Sequence, residues 1–131
     1  MFRGICLIIL LMWGGRAWAG EITKERAVDA IIGEAEGEGY RGMLAVACAI
    51  RNRGTLQGVY GEHSRRVKEH LYGARVFVNA VRAWEESSSS DRCGFIGGAT
   101  HWEGIAFKTP YWARDMILTA TIGNQRFYRK R

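Results

Sequence analysis

From residue 21 the chain opens with apolar side chains spaced three and four positions apart, a spacing typical of a helix that packs on one side. Thr23 is suited to cap this helix, and Gly37 ends the pattern. The pattern therefore predicts a helix over 24–36. The positions on its apolar face are Ala27, Ala30, Ile31, Glu34 and Ala35.

A second helix is predicted over 40–53, with Gly54 as its stop. Almost no polar side chain occurs between Met43 and Ile50, so we expect this helix at the centre of the core. A weakly helical stretch over 62–72 and a clearer helix over 75–86 follow. The first half of the chain is thus predicted to be helical.

The pattern changes after Asp91, where glycines separate short aromatic stretches. Residues 117–122 and 125–128 are rich in strand-forming side chains, and Gly123-Asn124 between them is typical of a tight turn. We predict an α+β fold with the helices first and a C-terminal β-hairpin or small antiparallel sheet.

The N-terminal segment 1–19 has the three parts of a secretory signal peptide: Arg3, an apolar run over 5–13, and Ala17-Trp18-Ala19. The run is shorter than the roughly 20 residues that cross a bilayer, although an uncleaved membrane anchor is the alternative. Cleavage near Ala19 leaves one domain over 20–131. We expect export to the periplasm or to the cell wall and extracellular space, with membrane contact only through this signal, and a monomer.

Composition narrows the class of partner. The formal charge is +6, and it falls to +4 when the signal leaves with its two arginines. A basic exported domain suits anionic wall polymer better than nucleic acid, for which no motif is present. Of the three cysteines, Cys48 and Cys93 remain. They either pair in an oxidising compartment or leave Cys48 as a small buried side chain.

Glu34 is the most informative residue, because a carboxylate on a core-facing stripe is partly desolvated. Desolvation favours the protonated form that a general acid needs in glycosidic cleavage. Glu36 and Glu38 crowd the same helix end, where the macrodipole disfavours negative charge. The alternative is a structural ion pair between Glu34 and Arg51 or Arg53.

Several runs of the sequence, taken together, resemble one family. The segment over 31–53, with its Gly33-Glu34-Ala35, its Ala45-Val46-Ala47 and its Asn52-Arg53, resembles the opening of the catalytic domain of SleB-type, spore-cortex-lytic cell-wall hydrolases. Later parts of the chain resemble that family's landmarks in the same order: Trp84, the run over 97–102, Tyr111-Trp112 and the run over 122–129. The stretch between Arg53 and Trp84 matches little, so the resemblance does not imply a role in spore germination.

The resemblance implies a small lysozyme-like fold over 20–131 that cuts peptidoglycan between N-acetylmuramic acid and N-acetylglucosamine. It places the catalytic glutamate at Glu34 and implies a lytic transglycosylase, in which the muramic 6-hydroxyl captures the sugar instead of water. A hydrolytic muramidase, the alternative, needs a second carboxylate, for which Glu103 and Asp91 are the candidates. Aromatic rings commonly stack on sugars, although the same rings could be core side chains. The predicted substrate-binding residues are Asn52, Thr100, His101, Trp102, Tyr111, Trp112 and Tyr128.

Two other classes remain open. A zinc amidase would cut the same polymer, but His63, His70 and His101 form no zinc-binding motif, so we predict no metal and no cofactor. An exported, non-catalytic glycan-binding module would use the basic charge and the five tryptophans. Such a module would tolerate Glu34→Gln, whereas an enzyme acting through Glu34 would not.

Overall fold

Helices form most of the first part of the fold. The computed structural model describes residues 21–131, so the predicted signal peptide over 1–19 lies outside the described residues. Three of the helices have the places that the sequence predicts: α1 (Lys24–Ala35), α2 (Gly39–Arg53) and α4 (Ala74–Glu86). The short α3 (Arg65–Lys68) and α5 (Ser90–Cys93) accompany them. None of these helices is long and apolar enough to cross a bilayer.

Local chemistry sets the ends of α1 and α2. The Thr23 hydroxyl accepts a hydrogen bond from the backbone N–H of Arg26 at 3.2 Å, which caps α1 as predicted. α2 ends at Gly54, whose φ of 74° is in the left-handed region that a glycine adopts without steric cost. The predicted helix over 62–72 is only a 3₁₀ turn (Gly61–His63) followed by α3.

α2 lies at the centre of the core, as its unbroken apolar run predicts. Every residue from Gly42 to Ile50 is buried. α1 and α4 pack against it. Arg51 of α2 holds α4 through Trp84: its guanidinium carbon lies 3.6 Å from the ring centroid, and its Nη2 donates to the Trp84 carbonyl at 2.7 Å. Arg51 is therefore engaged in helix packing and is not the partner of Glu34.

The second part of the chain forms a three-stranded antiparallel sheet. Its strands are β1 (His101–Gly104), β2 (Met116–Ile122) and β3 (Gln125–Lys130), in the order β1-β3-β2. β2 and β3 form the predicted hairpin around Gly123-Asn124. β1 pairs with β3 so that Trp102 faces Phe127 and His101 faces Tyr128. Since side chains alternate along a strand, Trp102 and fully buried Phe127 lie on the helix side of the sheet.

Cys48 and Cys93 form a disulfide, which settles the alternative that the sequence leaves open. The bond joins the middle of α2 to the end of α5 across a sequence separation of 45 residues. Closing a loop of this length restricts the unfolded chain and stabilises the fold.

We expect reduction of this disulfide to lower the free energy of unfolding by about 2–4 kcal/mol. Urea unfolding of the wild type with and without a thiol reductant measures the effect. The Cys48→Ala/Cys93→Ala variant is the control, because it has no disulfide to reduce and its urea midpoint should not respond to the reductant. Identical wild-type midpoints in both conditions would contradict the expectation.

Candidate active site

Glu34 lies in the last turn of α1, and its carboxylate receives two hydrogen bonds. The backbone N–H of Gly61 donates to Oε1 at 2.9 Å, and the indole N–H of Trp102 donates to Oε2 at 3.2 Å. Within residues 21–131 Glu34 forms no ion pair, so the alternative of a structural pair with Arg51 or Arg53 is wrong. Two neutral donors thus hold the orientation of a carboxylate that remains open to a ligand.

Two glycines make this arrangement possible by letting two backbone segments touch. A Cβ on Gly33 would lie 2.0 Å from the Gly61 carbonyl oxygen, and a Cβ on Gly61 would lie 2.7 Å from Glu34 Cγ. Side chains at either position would separate α1 from the 3₁₀ turn at 61–63. The absence of side chains therefore brings the Gly61 N–H within reach of Glu34.

β3 ties Glu34 to the sheet through its backbone. The buried side chain of Gln125 donates from Nε2 to the Glu34 carbonyl at 2.9 Å. This carbonyl is in the last turn of α1, where the backbone oxygens lack helical partners. The helix end, the turn at 61–63 and two strands together fix the position of Glu34.

The neighbouring glutamates have different partners. α1 ends at Ala35, and Glu36 forms an ion pair with Arg66. Glu38 accepts a hydrogen bond from the backbone N–H of Asn124 at 3.0 Å. The acidic crowding at this helix end is therefore compensated by tertiary contacts, whereas Glu34 has no cation.

Glu34 opens into a cleft of about 500 Å³. Of the predicted residues, His101, Trp102 and Trp112 line it together with Glu34. The remaining lining residues, which are not among the predicted catalytic and substrate-binding residues, are Arg53, Gly58, Val59 and Tyr60. Tyr60 is 76% exposed, so its ring is available to a ligand. In the described part of the chain, Glu34 is the one carboxylate in this lining.

Trp112 and His101, on the aromatic side of the cleft, belong to a cluster of three rings that includes Tyr128. Trp112 packs edge-on against Tyr128 with centroids 5.5 Å apart, and it packs at a tilt against His101 with centroids 5.4 Å apart. Trp112 is still 38% exposed, which leaves ring surface available to a ligand. Tyr111 is 84% exposed and does not line the cleft.

Tyr128 lies behind Trp112 and not in the cleft. Its hydroxyl donates to Glu103 Oε1 at 2.8 Å, and Arg126 Nε lies 2.6 Å from the same oxygen. Burial raises the pKa of Tyr128, and the hydrogen bond to Glu103 raises it further. The phenol therefore stays neutral, and its ring packs against Trp112.

Asn52 and Thr100 lie beside the cleft. The Asn52 amide donates to the Ala99 carbonyl at 3.0 Å, and the Thr100 hydroxyl lies 2.8 Å from His101 Nδ1. These contacts hold the loop that leads into β1. Both residues line a second, smaller cavity next to the cleft.

His101 is partly buried, and its pKa is lowered from the usual 6.5. Burial disfavours the imidazolium most, and repulsion from Arg53 and Lys130 adds to the effect. The unfolded chain therefore binds a proton more readily than the folded protein. The stability that neutral His101 contributes is complete above pH 6.5 and is lost as the pH falls toward the lowered folded pKa.

We accordingly expect the Tm of the wild type to fall as the pH drops below 6.5, and to fall less steeply in His101→Gln. Glutamine retains polar contact with Thr100 but does not titrate. Thermal unfolding followed by circular dichroism at stepwise pH gives both slopes. Equal slopes for the two proteins would show that His101 does not carry this dependence.

A zinc amidase would need a cluster of metal-binding side chains. Within 21–131 no three His, Cys, Asp or Glu side chains come together in a way that could hold a metal ion. The resistance of activity to a chelator is the measurement that tests the amidase alternative.

Comparison with known proteins gives a match in structure only. No protein-family model and no curated protein matches the chain. The solved catalytic domain of the germination-specific lytic transglycosylase SleB from Bacillus anthracis is similar, with a TM-score of 0.60 and 23% identity over 81% of this chain and 93% of that domain. The catalytic domain of the Bacillus cereus SleB protein is similar with a TM-score of 0.54 and 22% identity, over 88% of this chain and 99% of that domain. The chain therefore has the small lysozyme-like α+β fold of the SleB catalytic domains, as its sequence resemblance implies.

Proposed function

We propose that this chain cleaves the glycan strands of peptidoglycan between N-acetylmuramic acid and N-acetylglucosamine, as a lytic transglycosylase with Glu34 as its acid and base. The observation that carries the proposal is the position of Glu34, which opens into an aromatic cleft with no cation bound to it. The likeness in fold to two SleB catalytic domains, one of them named a lytic transglycosylase, supports it.

In the proposed reaction one carboxyl group does two proton transfers. Protonated Glu34 gives its proton to the glycosidic oxygen as the bond from that oxygen to C1 of muramic acid breaks. The Glu34 carboxylate then takes the proton of the muramic 6-hydroxyl as the oxygen of that hydroxyl bonds to C1. The product is a 1,6-anhydro sugar, Glu34 regains its proton, and no water is consumed.

The contacts of Glu34 suit both roles. An ionised carboxylate has about four lone-pair sites. The N–H groups of Gly61 and Trp102 occupy one site on each oxygen, which leaves sites for the transferred proton and for substrate. Neither donor is charged, so the carboxylate of Glu34 has no cation among its hydrogen-bond partners.

The placement of the other carboxylates favours transfer to the sugar hydroxyl over hydrolysis. A hydrolytic muramidase uses a second carboxylate within about 5–10 Å of the first. Glu103 does not line the cleft, and its carboxylate is engaged by Arg126 and Tyr128. Asp91 is an exposed residue of α5 and lines a different surface depression.

We further propose that the protein acts outside the cytoplasm, as the predicted signal peptide implies. The Cys48–Cys93 disulfide supports this location, because such bonds persist in oxidising compartments.

Digestion of purified peptidoglycan by the protein, with a strong chelator present, tests the proposed function. Mass spectrometry of the soluble fragments identifies the bond that is cut. We expect cleavage of the glycosidic bond at C1 of muramic acid, and we expect the peptide stems to remain intact. Free stem peptides would point to an amidase, and binding without any release of fragments would point to a glycan-binding module.

A further inference from the structure

A second cavity adjoins the cleft around Glu34 and is basic. Its volume is about 330 Å³, and it shares Arg53 and His101 with the cleft, so these two side chains separate two adjacent spaces. It lies between the end of α2, the loop before β1 and the end of β3. Its lining consists of Asn52, Arg53, Gly98, Thr100, His101, Arg129 and Lys130.

Positive charge dominates this lining. Arg53, Arg129 and Lys130 carry it, and no carboxylate is among the lining residues. In the part of the chain that the structure describes, none of these three cations forms an ion pair. Burial is the main cause of the lowered His101 pKa, and the additional repulsion from Arg53 and Lys130 is consistent with two charges acting at one place. Three uncompensated cations around one cavity favour an anionic ligand.

The wall between the cleft and the second cavity is held in place by the backbone. Arg53 donates from Nη2 to the Gln57 carbonyl at 2.6 Å and from Nη1 to the Thr100 carbonyl at 3.5 Å. The Thr100 N–H in turn donates to the Tyr128 carbonyl at 2.9 Å. The Arg53 guanidinium is therefore positioned before any ligand arrives, which limits the ordering cost of binding.

We propose that this cavity binds a carboxylate of the peptide stem of muramic acid while the sugar occupies the cleft. This inference rests on the proposed function, since it takes a peptidoglycan strand as the ligand. The stem is attached to the muramic acid ring and carries free carboxylates. A cavity that shares a wall with the sugar cleft suits an anion tethered to that sugar better than the phosphate of a separate wall polymer.

The test measures binding by the Glu34→Gln variant, which is expected to hold strands without cutting them. Three soluble ligands are compared: glycan oligomers with intact stems, the same oligomers without stems, and oligomers whose stem carboxylates are converted to amides. Tryptophan fluorescence reports Kd, since Trp102 and Trp112 line the cleft. We expect intact oligomers to bind about tenfold more tightly than either modified ligand, the usual scale for charge-assisted contacts.

Two further variants in the Glu34→Gln background assign the effect to the cavity. Adding Arg129→Gln and Lys130→Gln should reduce the tenfold difference to near parity. Adding Lys68→Gln and Arg75→Gln removes the same charge from exposed residues outside the cavity, so the difference should remain. Loss of the difference in both of these triple variants would mean a general charge effect and would overturn the proposal.

The outcomes separate this inference from the proposed function. Equal Kd values for the three ligands overturn the stem-binding cavity, even when the wild type cuts peptidoglycan. A persistent difference in Kd supports the cavity, even when the wild type cuts nothing and the proposed function fails. Displacement of intact oligomers by a glycerol phosphate oligomer, with no effect of amide conversion, would assign the cavity to a phosphate polymer and overturn the stem assignment.

Discussion

Glu34→Gln is expected to lower the rate of glycan cleavage about a thousandfold, because general acid–base transfer by a positioned group contributes on the order of 10²–10⁴. Glutamine fills the same space but neither gives nor takes the proton. Its oxygen still accepts from Gly61 or Trp102, while its amide group faces the other donor. The associated loss of stability is about 1 kcal/mol. Release of dye-labelled fragments from peptidoglycan gives the rates.

Glu36→Gln is the matched control, since it removes an acidic group two residues away. Glu36 pairs with Arg66, does not line the cleft, and is partly exposed, so we expect cleavage within about twofold of wild type. A Glu34→Gln variant that retains more than about a tenth of wild-type activity would remove Glu34 from the role of acid and base.

Gly61→Ala is expected to reduce cleavage about a hundredfold and to destabilise the fold by about 1–3 kcal/mol. The added Cβ would lie 2.6 Å from the Ala30 carbonyl oxygen, 2.7 Å from Glu34 Cγ and 2.9 Å from the Glu34 amide nitrogen. Two of these neighbours are backbone atoms, so α1 and the turn at 61–63 must move apart. The N–H···Oε1 bond that holds Glu34 then lengthens, and the carboxylate leaves its position in the cleft.

Gly37→Ala is the control for this substitution. A Cβ at Gly37 meets nothing within 4 Å, so the same chemical change falls where space is open. We expect wild-type cleavage and stability from it. Gly61→Ala with wild-type kcat/KM, measured on soluble glycan oligomers, would show that the contact of Gly61 with α1 does not position Glu34.

Much of the helical architecture could be predicted from local patterns. Thr23 and Gly54 mark helix ends by capping chemistry that acts within a few residues. The uninterrupted apolar run over 43–50 predicts burial on all sides, which α2 shows. Gly123-Asn124 between two strand-forming runs predicts the hairpin for the same local reason.

The surroundings of Glu34 depend on contacts between distant parts of the chain. The sequence does not predict Tyr60 and Gly61 as site residues, because residues 54–61 carry no periodic pattern that indicates where the loop folds. Gly33 beside Glu34 is the one local signal of close backbone approach, but it does not identify Gly61 as the partner. Pairing of Cys48 with Cys93 likewise depends on where α5 docks.

The aromatic residues show the same limit. Sequence reasoning selects Trp102, Trp112 and Tyr128 for one chemical reason, the stacking of rings on sugars. Strand alternation separates the two strand residues, because Trp102 reaches Glu34 whereas Tyr128 is buried on the other face of the sheet. Trp112 lines the cleft from the 3₁₀ turn Tyr111–Asp115. Residue type predicts the chemistry of a site, whereas the tertiary structure decides which of these side chains lies in the cleft.

The most direct test of the central claim is digestion of peptidoglycan in water enriched in ¹⁸O, with the wild type and Glu34→Gln in parallel. We expect wild-type fragments whose muramic ends are lighter by one water and carry no ¹⁸O, and release of fragments by the variant that is about a thousandfold slower. Reducing ends that carry one ¹⁸O would contradict the claim, because water would then be the acceptor and a second catalytic group would be required. Release of fragments by Glu34→Gln at the wild-type rate would contradict the assignment of Glu34 as the acid and base.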